Sequence, residues 1–95
     1  MDEAQFRQQL HEQGYGEAQA VEFEPNMARE MHTHDFSAYV LVTGGAFTLV
    51  TEDGSVTHQP GEACTLAAGT LHSEQTGADG ATILLGKKAP VISSS

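Results

Sequence analysis

The sequence predicts an all-β fold, a small antiparallel sandwich or barrel preceded by one short α-helix. Three observations point there. Turn signals recur about every 8–12 residues from Tyr15 onward, the spacing of short antiparallel strands. The segments between them are rich in Val, Thr, Tyr, Phe and Leu, and several alternate in polarity. Only residues 2–13 carry a helical pattern.

Asp2 can cap that helix, Phe6 and Leu10 stand at i and i+4, and Gly14 ends it. Its apolar stripe is thin, so it should lie on the surface of something larger. Strand-like segments follow at 19–24, 27–34, 37–43, 46–52, 55–59, 62–67, 71–76 and 81–86. Pro25-Asn26, Gly44-Gly45, Asp53-Gly54, Pro60-Gly61, Gly69-Thr70 and Gly77 to Gly80 supply turns. Asp53-Gly54 is the strongest, a two-residue hairpin signal. The expected organisation is one domain: residues 1–14 a helix packed on a barrel, 15–88 the barrel, and 89–95 a flexible tail.

The chain has 95 residues, with Lys plus Arg 4 against Asp plus Glu 13, for a net charge of −9. That balance argues against nucleic-acid phosphates and against an anionic membrane surface, both of which need clustered cations. A small organic molecule, a cation or a protein partner fits better. Cys64 is the only cysteine, so no internal disulfide can form, in keeping with a reducing compartment. Met1 to Gln5 lacks the basic start and apolar core of a signal peptide, and no apolar run approaches the ~18 residues of a membrane span. The expectation is a cytoplasmic, soluble protein.

Three histidines carry the chemistry. In an extended strand, residues i and i+2 point to the same face. His32-Thr33-His34 therefore offers two imidazoles to one point. His72 follows the turn in Ala67-Ala68-Gly69-Thr70-Leu71-His72 and can bring a third from another strand. Three neutral nitrogen ligands suit Zn, Fe, Ni or Cu and leave positions open for water or substrate. Glu30, Asp35 and Glu74 are nearby carboxylates that could support or replace a ligand. His11, on the helix, and His58, before Pro60, have no such context and read as solvent-exposed. Cys64 reads as a small buried hydrophobe. Met27 and Met31 read as packing residues, against the helix or a partner subunit. No phosphate-binding glycine loop or nucleophile elbow is present.

These residues resemble the cupin superfamily, whose members carry two short metal-site motifs inside a small β-barrel. The first motif reads Gly-x5-His-x-His-x3–4-Glu-x6-Gly. Its core here is His32-Thr33-His34, with Gly44 or Gly45 closing. The second reads Gly-x5-Pro-x-Gly-x2-His-x3-Asn, and Gly61, Ala67, Gly69 and His72 match its spacing without a gap. The match spans roughly residues 18–86. Several positions depart from the pattern. Asn26 stands at the leading glycine of the first motif and Ser37 or Ala38 at its glutamate, while Ala67 stands at the proline of the second and Thr76 at its asparagine.

The resemblance implies a jelly-roll barrel and one divalent ion (Zn, Fe, Ni or Mn) on His32, His34 and His72, without the usual fourth ligand. It also implies a small-molecule ligand or substrate. Two functions follow from it. One is a metal-dependent enzyme, with a dioxygenase or isomerase among the implied chemistries. The alternative is a non-catalytic module that senses or binds a small ligand, its metal structural or absent. A homodimer is expected from the small size, from Met27 and Met31, and from an unpaired edge at 19–24.

Overall fold

The structure, a computed structural model, describes residues 1–89. Apart from Ala89, the expected tail lies outside the described residues. Helix α1 (Glu3–Glu12) precedes five strands: β1 (Gln19–Phe23), β2 (Ser37–Thr51), β3 (Gly54–His58), β4 (Ala63–Leu66) and β5 (His72–Lys88). They form one antiparallel sheet in the order β1-β5-β2-β3, with β4 also paired to β2.

α1 starts where the sequence places it. The Asp2 carboxylate accepts from Gln5 N at 2.8 Å, and Gln5 Oε1 accepts from Asp2 N at 3.1 Å, closing a capping box. Phe6 and Leu10 are its buried residues, packed on Tyr39, Leu41 and Leu84. Their partners show how the sheet uses both faces. Tyr39, Leu41 and Leu84 point to the helix, whereas Ala38, Val40, Val42 and Ile83 point to the opposite side. Both faces are covered, so this stretch of β2 reads as a continuous apolar run without alternation.

The expected set of eight short strands is corrected to five, because two of them are long. Gly44-Gly45 does not turn the chain; it lies inside β2, which runs for 15 residues. Gly77 to Gly80 likewise lies inside β5, of 17 residues. The β2–β5 register shifts between Val42 and Gly44 and again between Gly45 and Phe47. Bulges of this kind bend a strand and increase its twist. At the bend, Gly45 has φ 69° and Gly80 φ 64°. A Cβ on Gly45 would overlap the Gly80 carbonyl, and one on Gly80 would overlap that of Phe23. Three backbone segments therefore meet with no room for a side chain, and there the sheet folds over.

Residues 27–34 form no strand either. They run beside β5 and touch it through two isolated bridges, Ala28 to Gln75 and His32 to His72. The sheet does not close into a complete barrel, yet it wraps one cavity in jelly-roll fashion. Phe23, Phe36, Val40, Phe47, Leu66 and Leu85 are among its walls, contributed by four strands and the segment before β2.

Candidate metal centre

Two short segments carry the histidines, and backbone hydrogen bonds tie them together. His32 and His72 exchange a reciprocal pair, His32 N to His72 O at 2.8 Å and His72 N to His32 O at 2.9 Å. Gly69 N donates to His34 O at 2.8 Å. Further along, Thr76 N donates to Met27 O at 2.9 Å, and Met27 N donates to the Thr76 hydroxyl at 2.9 Å. Thr76 thereby pins the loop that leads into the histidine arm. Ser37 has a related part: its hydroxyl accepts from Ala68 N at 3.2 Å and so holds the turn before His72. Ser37, one of the two positions at which the first motif would carry its glutamate, is thus used to brace the backbone of the other motif.

All three histidines converge. Ring centroids lie 4.9 Å apart for His32 and His34, 4.6 Å for His32 and His72, and 5.0 Å for His34 and His72. Glu74 joins them. One ligand atom from each of His32, His34, His72 and Glu74 lies within 4.8 Å of all the others. Glu74 Oε2 is 3.1 Å from His32 Nε2, and Glu74 Oε1 is 3.7 Å from His72 Nε2.

The second nitrogen of two rings fixes their tautomer. His32 Nδ1 lies 2.7 Å from the Glu30 carbonyl, and His72 Nδ1 lies 2.7 Å from the Thr70 carbonyl. A carbonyl only accepts, so each Nδ1 carries a hydrogen. In its neutral form each ring then presents a bare Nε2 lone pair toward Glu74. Outer hydrogen bonds of this kind orient metal-ligating imidazoles and raise their basicity. The Glu74 carboxylate faces these lone pairs with another acceptor, and its Oε2 is buried without a hydrogen-bond partner. Lone pairs aimed at one point, with a buried unpaired carboxylate among them, fit a cation. The donor set of imidazoles and one carboxylate suits a first-row divalent metal.

Burial is the first reason the pKa of His34 sits below the imidazole value of 6.5. His72 and His32 add to the depression, Glu74 opposes it, and Lys87 contributes a further small lowering. The neutral, ligating form of His34 is therefore favoured.

The other expected residues fall elsewhere. Glu30 offers its backbone carbonyl to His32, and neither it nor Asp35 joins the four-residue cluster. His11 is exposed, as expected. His58 is corrected: it is half-buried on β3, opposite Phe47. Cys64 is partly buried on the cavity wall, and burial pushes its thiol pKa up to about 11. Of the three candidate carboxylates, Glu74 is the one that joins the histidines. Its signal was available in the sequence, since Glu74 stands two residues after His72 and shares its strand face, as His34 does with His32.

The cluster opens onto a cavity with a volume of about 70 Å³, lined by His34, His72 and Glu74 at one end and otherwise by apolar side chains and Cys64. That space holds several waters or a small organic group.

No family model matches the chain, and no curated protein matches it. Solved structures do. A protein of unknown function from Rhizobium leguminosarum superposes with a TM-score of 0.73 at 18% identity, over 78% of this chain and 70% of that one. A cupin-2 domain containing protein from Shewanella frigidimarina gives a TM-score of 0.65 at 20% identity, over 78% of this chain and 70% of that one. The DMSP lyase DddQ from Ruegeria pomeroyi gives 0.70 at 15% identity, over 82% of this chain but only 40% of that enzyme. Identities this low establish a shared fold. The chain has the cupin fold that its two motifs implied.

Proposed function

We propose that this cupin domain holds one divalent metal ion on His32, His34, His72 and Glu74, and that it binds or transforms a small organic molecule in the adjoining cavity. The observation that carries the reading is the buried Glu74 carboxylate facing two Nε2 lone pairs whose tautomers are fixed from behind. A bound ion would supply Lewis acidity. The chain's own contribution is separate from that. Backbone carbonyls orient His32 and His72, Glu74 neutralises one positive charge, and the apolar wall excludes water from whatever lies beside the centre.

The DddQ neighbour is named as a lyase, and a fold-level likeness to an enzyme favours the catalytic branch over a purely sensing module. Dioxygenase or isomerase chemistry remains the class to test first. A single cysteine is in keeping with a reducing compartment, and a cytoplasmic setting is part of the proposal. Among the described residues, no helix is long and apolar enough to cross a membrane. A homodimer is supported by β1, which among the described residues pairs with β5 alone and leaves its other edge open, and by exposed Met31. Light scattering that showed a monomer at micromolar concentration would remove it.

Elemental analysis of tag-free protein tests the centre. Stoichiometric metal in the wild type, lost in His32→Ala and in His72→Ala, is the expected result. No metal above background after reconstitution with Fe(II), Zn(II), Ni(II) and Mn(II) would reject it. Oxygen uptake with small diketones then separates the dioxygenase branch from the others.

A further inference from the structure

We infer that the cavity takes a small organic anion with an apolar body, and that Lys87 at its rim reads the negative charge. The inference rests on the cavity being a ligand site, as proposed above, but not on which ion the centre holds.

The placement of Lys87 follows from strand parity. Ile83 and Leu85 line the cavity, and Lys87 is the next residue of β5 on that face. Its cross-strand partner is Ala38, another lining residue. Its ammonium lies 4.8 Å from the centroid of Phe36. Phe36 also lines the cavity, and its ring stacks on His34 at 4.7 Å with an interplanar angle of 20°. Lys87 is thus one aromatic ring away from the histidine cluster.

The charge inventory singles it out. The chain has 4 basic residues against 13 acidic ones. Arg7 is spent on Glu3 at 3.1 Å, and Lys88 donates to the Gln13 carbonyl at 2.8 Å. The other two both sit over aromatic rings of the cavity wall: Lys87 over Phe36, and Arg29 over Phe23 at 5.4 Å. Among the described residues, neither has a carboxylate within 4.0 Å. An acidic protein repels anions at long range, so cations kept without counter-ions at a cavity mouth give a local attraction that the rest of the surface lacks. Lys87 continues the lining row itself, while Arg29 comes from the segment outside the sheet. That difference assigns the reading of charge to Lys87. The walls between offer almost no polar partner, so the body of the ligand must be apolar.

Isobutyrate and its neutral isostere isobutyramide are suitable probes. Methyl resonances of Leu49, Leu66, Ile83 and Leu85 report entry into the cavity, in both metal-free and zinc-treated protein. Isobutyrate should shift these methyls and bind about fivefold tighter than the amide, the range of a partly exposed charge pair. Lys87→Gln should erase that preference, Lys87→Arg should keep most of it, and Arg29→Gln should leave it nearly unchanged. None of the three should alter metal content. An equal preference in Lys87→Gln would overturn the inference, as would equal binding of amide and carboxylate, or no methyl shift at tens of millimolar. A preference that disappears with the metal and ignores Lys87 would also overturn it. If no metal binds but the Lys87-dependent preference is present, the metal reading fails and this one stands.

Discussion

His32 Nε2 lies 3.1 Å from Glu74 Oε2, and when the ring is neutral and the carboxyl ionised no hydrogen joins them. The hydrogen of the His32 ring is committed to the Glu30 carbonyl on the other side. Without a cation, two acceptors are pressed together in a site where Glu74 is only 11% exposed at its side chain. Glu74→Gln should therefore act in opposite directions on two properties. Its amide can donate to Nε2, and removing a buried unpaired carboxylate should relieve about 1–3 kcal/mol. In a domain of this size that raises the melting temperature of metal-free protein by roughly 5 °C or more. Divalent-metal affinity should fall by at least about tenfold, since even outer partners of a ligand are worth that much. Calorimetry of the metal-free protein and competitive metal titration read the two effects. A lower melting temperature in the variant would contradict the unpaired-acceptor account.

Acid should weaken the fold through His34. Its folded pKa lies below 6.5, chiefly because of burial and then because of His72 and His32. Between that value and 6.5 the unfolded chain binds more protons than the native one, so stability rises with pH across this window. The contribution is fully present above 6.5 and is lost as pH falls through the folded pKa. The urea midpoint of metal-free protein should thus drop between about pH 7.5 and about pH 5. His34→Gln should drop less over the same range. Metal affinity should fall over that window too, because protons compete for the same nitrogens.

How much of this was legible depended on whether the deciding contact was local. The capping box of Asp2 and Gln5 and the Phe6/Leu10 stripe are local, and both stand. The hairpin between β2 and β3 is local as well, but its two turn residues are Glu52 and Asp53, one position before the expected pair, and Gly54 opens β3 opposite Thr51. Gly44-Gly45 was not readable in the same way. A glycine at positive φ serves a bulge in a continuing strand as well as a turn between two strands, and only the partner strand decides. Residues 27–34 alternate because extended backbone alternates, whether or not a ladder forms beside it. The three converging histidines could be found by spacing and motif. Glu74 does not stand out by motif, because the pattern puts its glutamate after the first histidine pair, at Ser37 or Ala38, and there the Ser37 hydroxyl braces Ala68.

The corner where Gly45, Gly80 and the Phe23 carbonyl meet should tolerate no side chain. Both glycines have positive φ, and an added Cβ would overlap backbone that cannot swing away. Gly80→Ala should cost more than about 2 kcal/mol, combining left-handed strain with the overlap. By contrast Gly54, also at positive φ, has nothing within 4 Å of an added Cβ. Gly54→Ala should then show the conformational cost alone, about 1–2 kcal/mol. Urea denaturation of the two variants side by side checks the difference, and equal costs would mean that the crowding at the bend is not limiting.

Phe6 ties the helix to the sheet and should be the most sensitive residue outside the cavity. It is 0% exposed and meets Tyr39 edge-on at 5.0 Å between centroids, while Leu10, Leu41 and Leu84 complete the cluster. Tyr15 reaches the same Tyr39 ring at 5.7 Å, so the helix and the segment after it share one anchor. Phe6→Ala should cost about 3–5 kcal/mol, most of the margin of a small domain. The cavity lies on the other face of β2, so the loss should reach the metal centre only through global unfolding. Phe6→Leu keeps much of the volume and should fold. At a temperature where Phe6→Leu is fully native, its metal affinity should equal that of the wild type. A weaker centre in that folded variant would show that the helix side of β2 sets the geometry of the histidines.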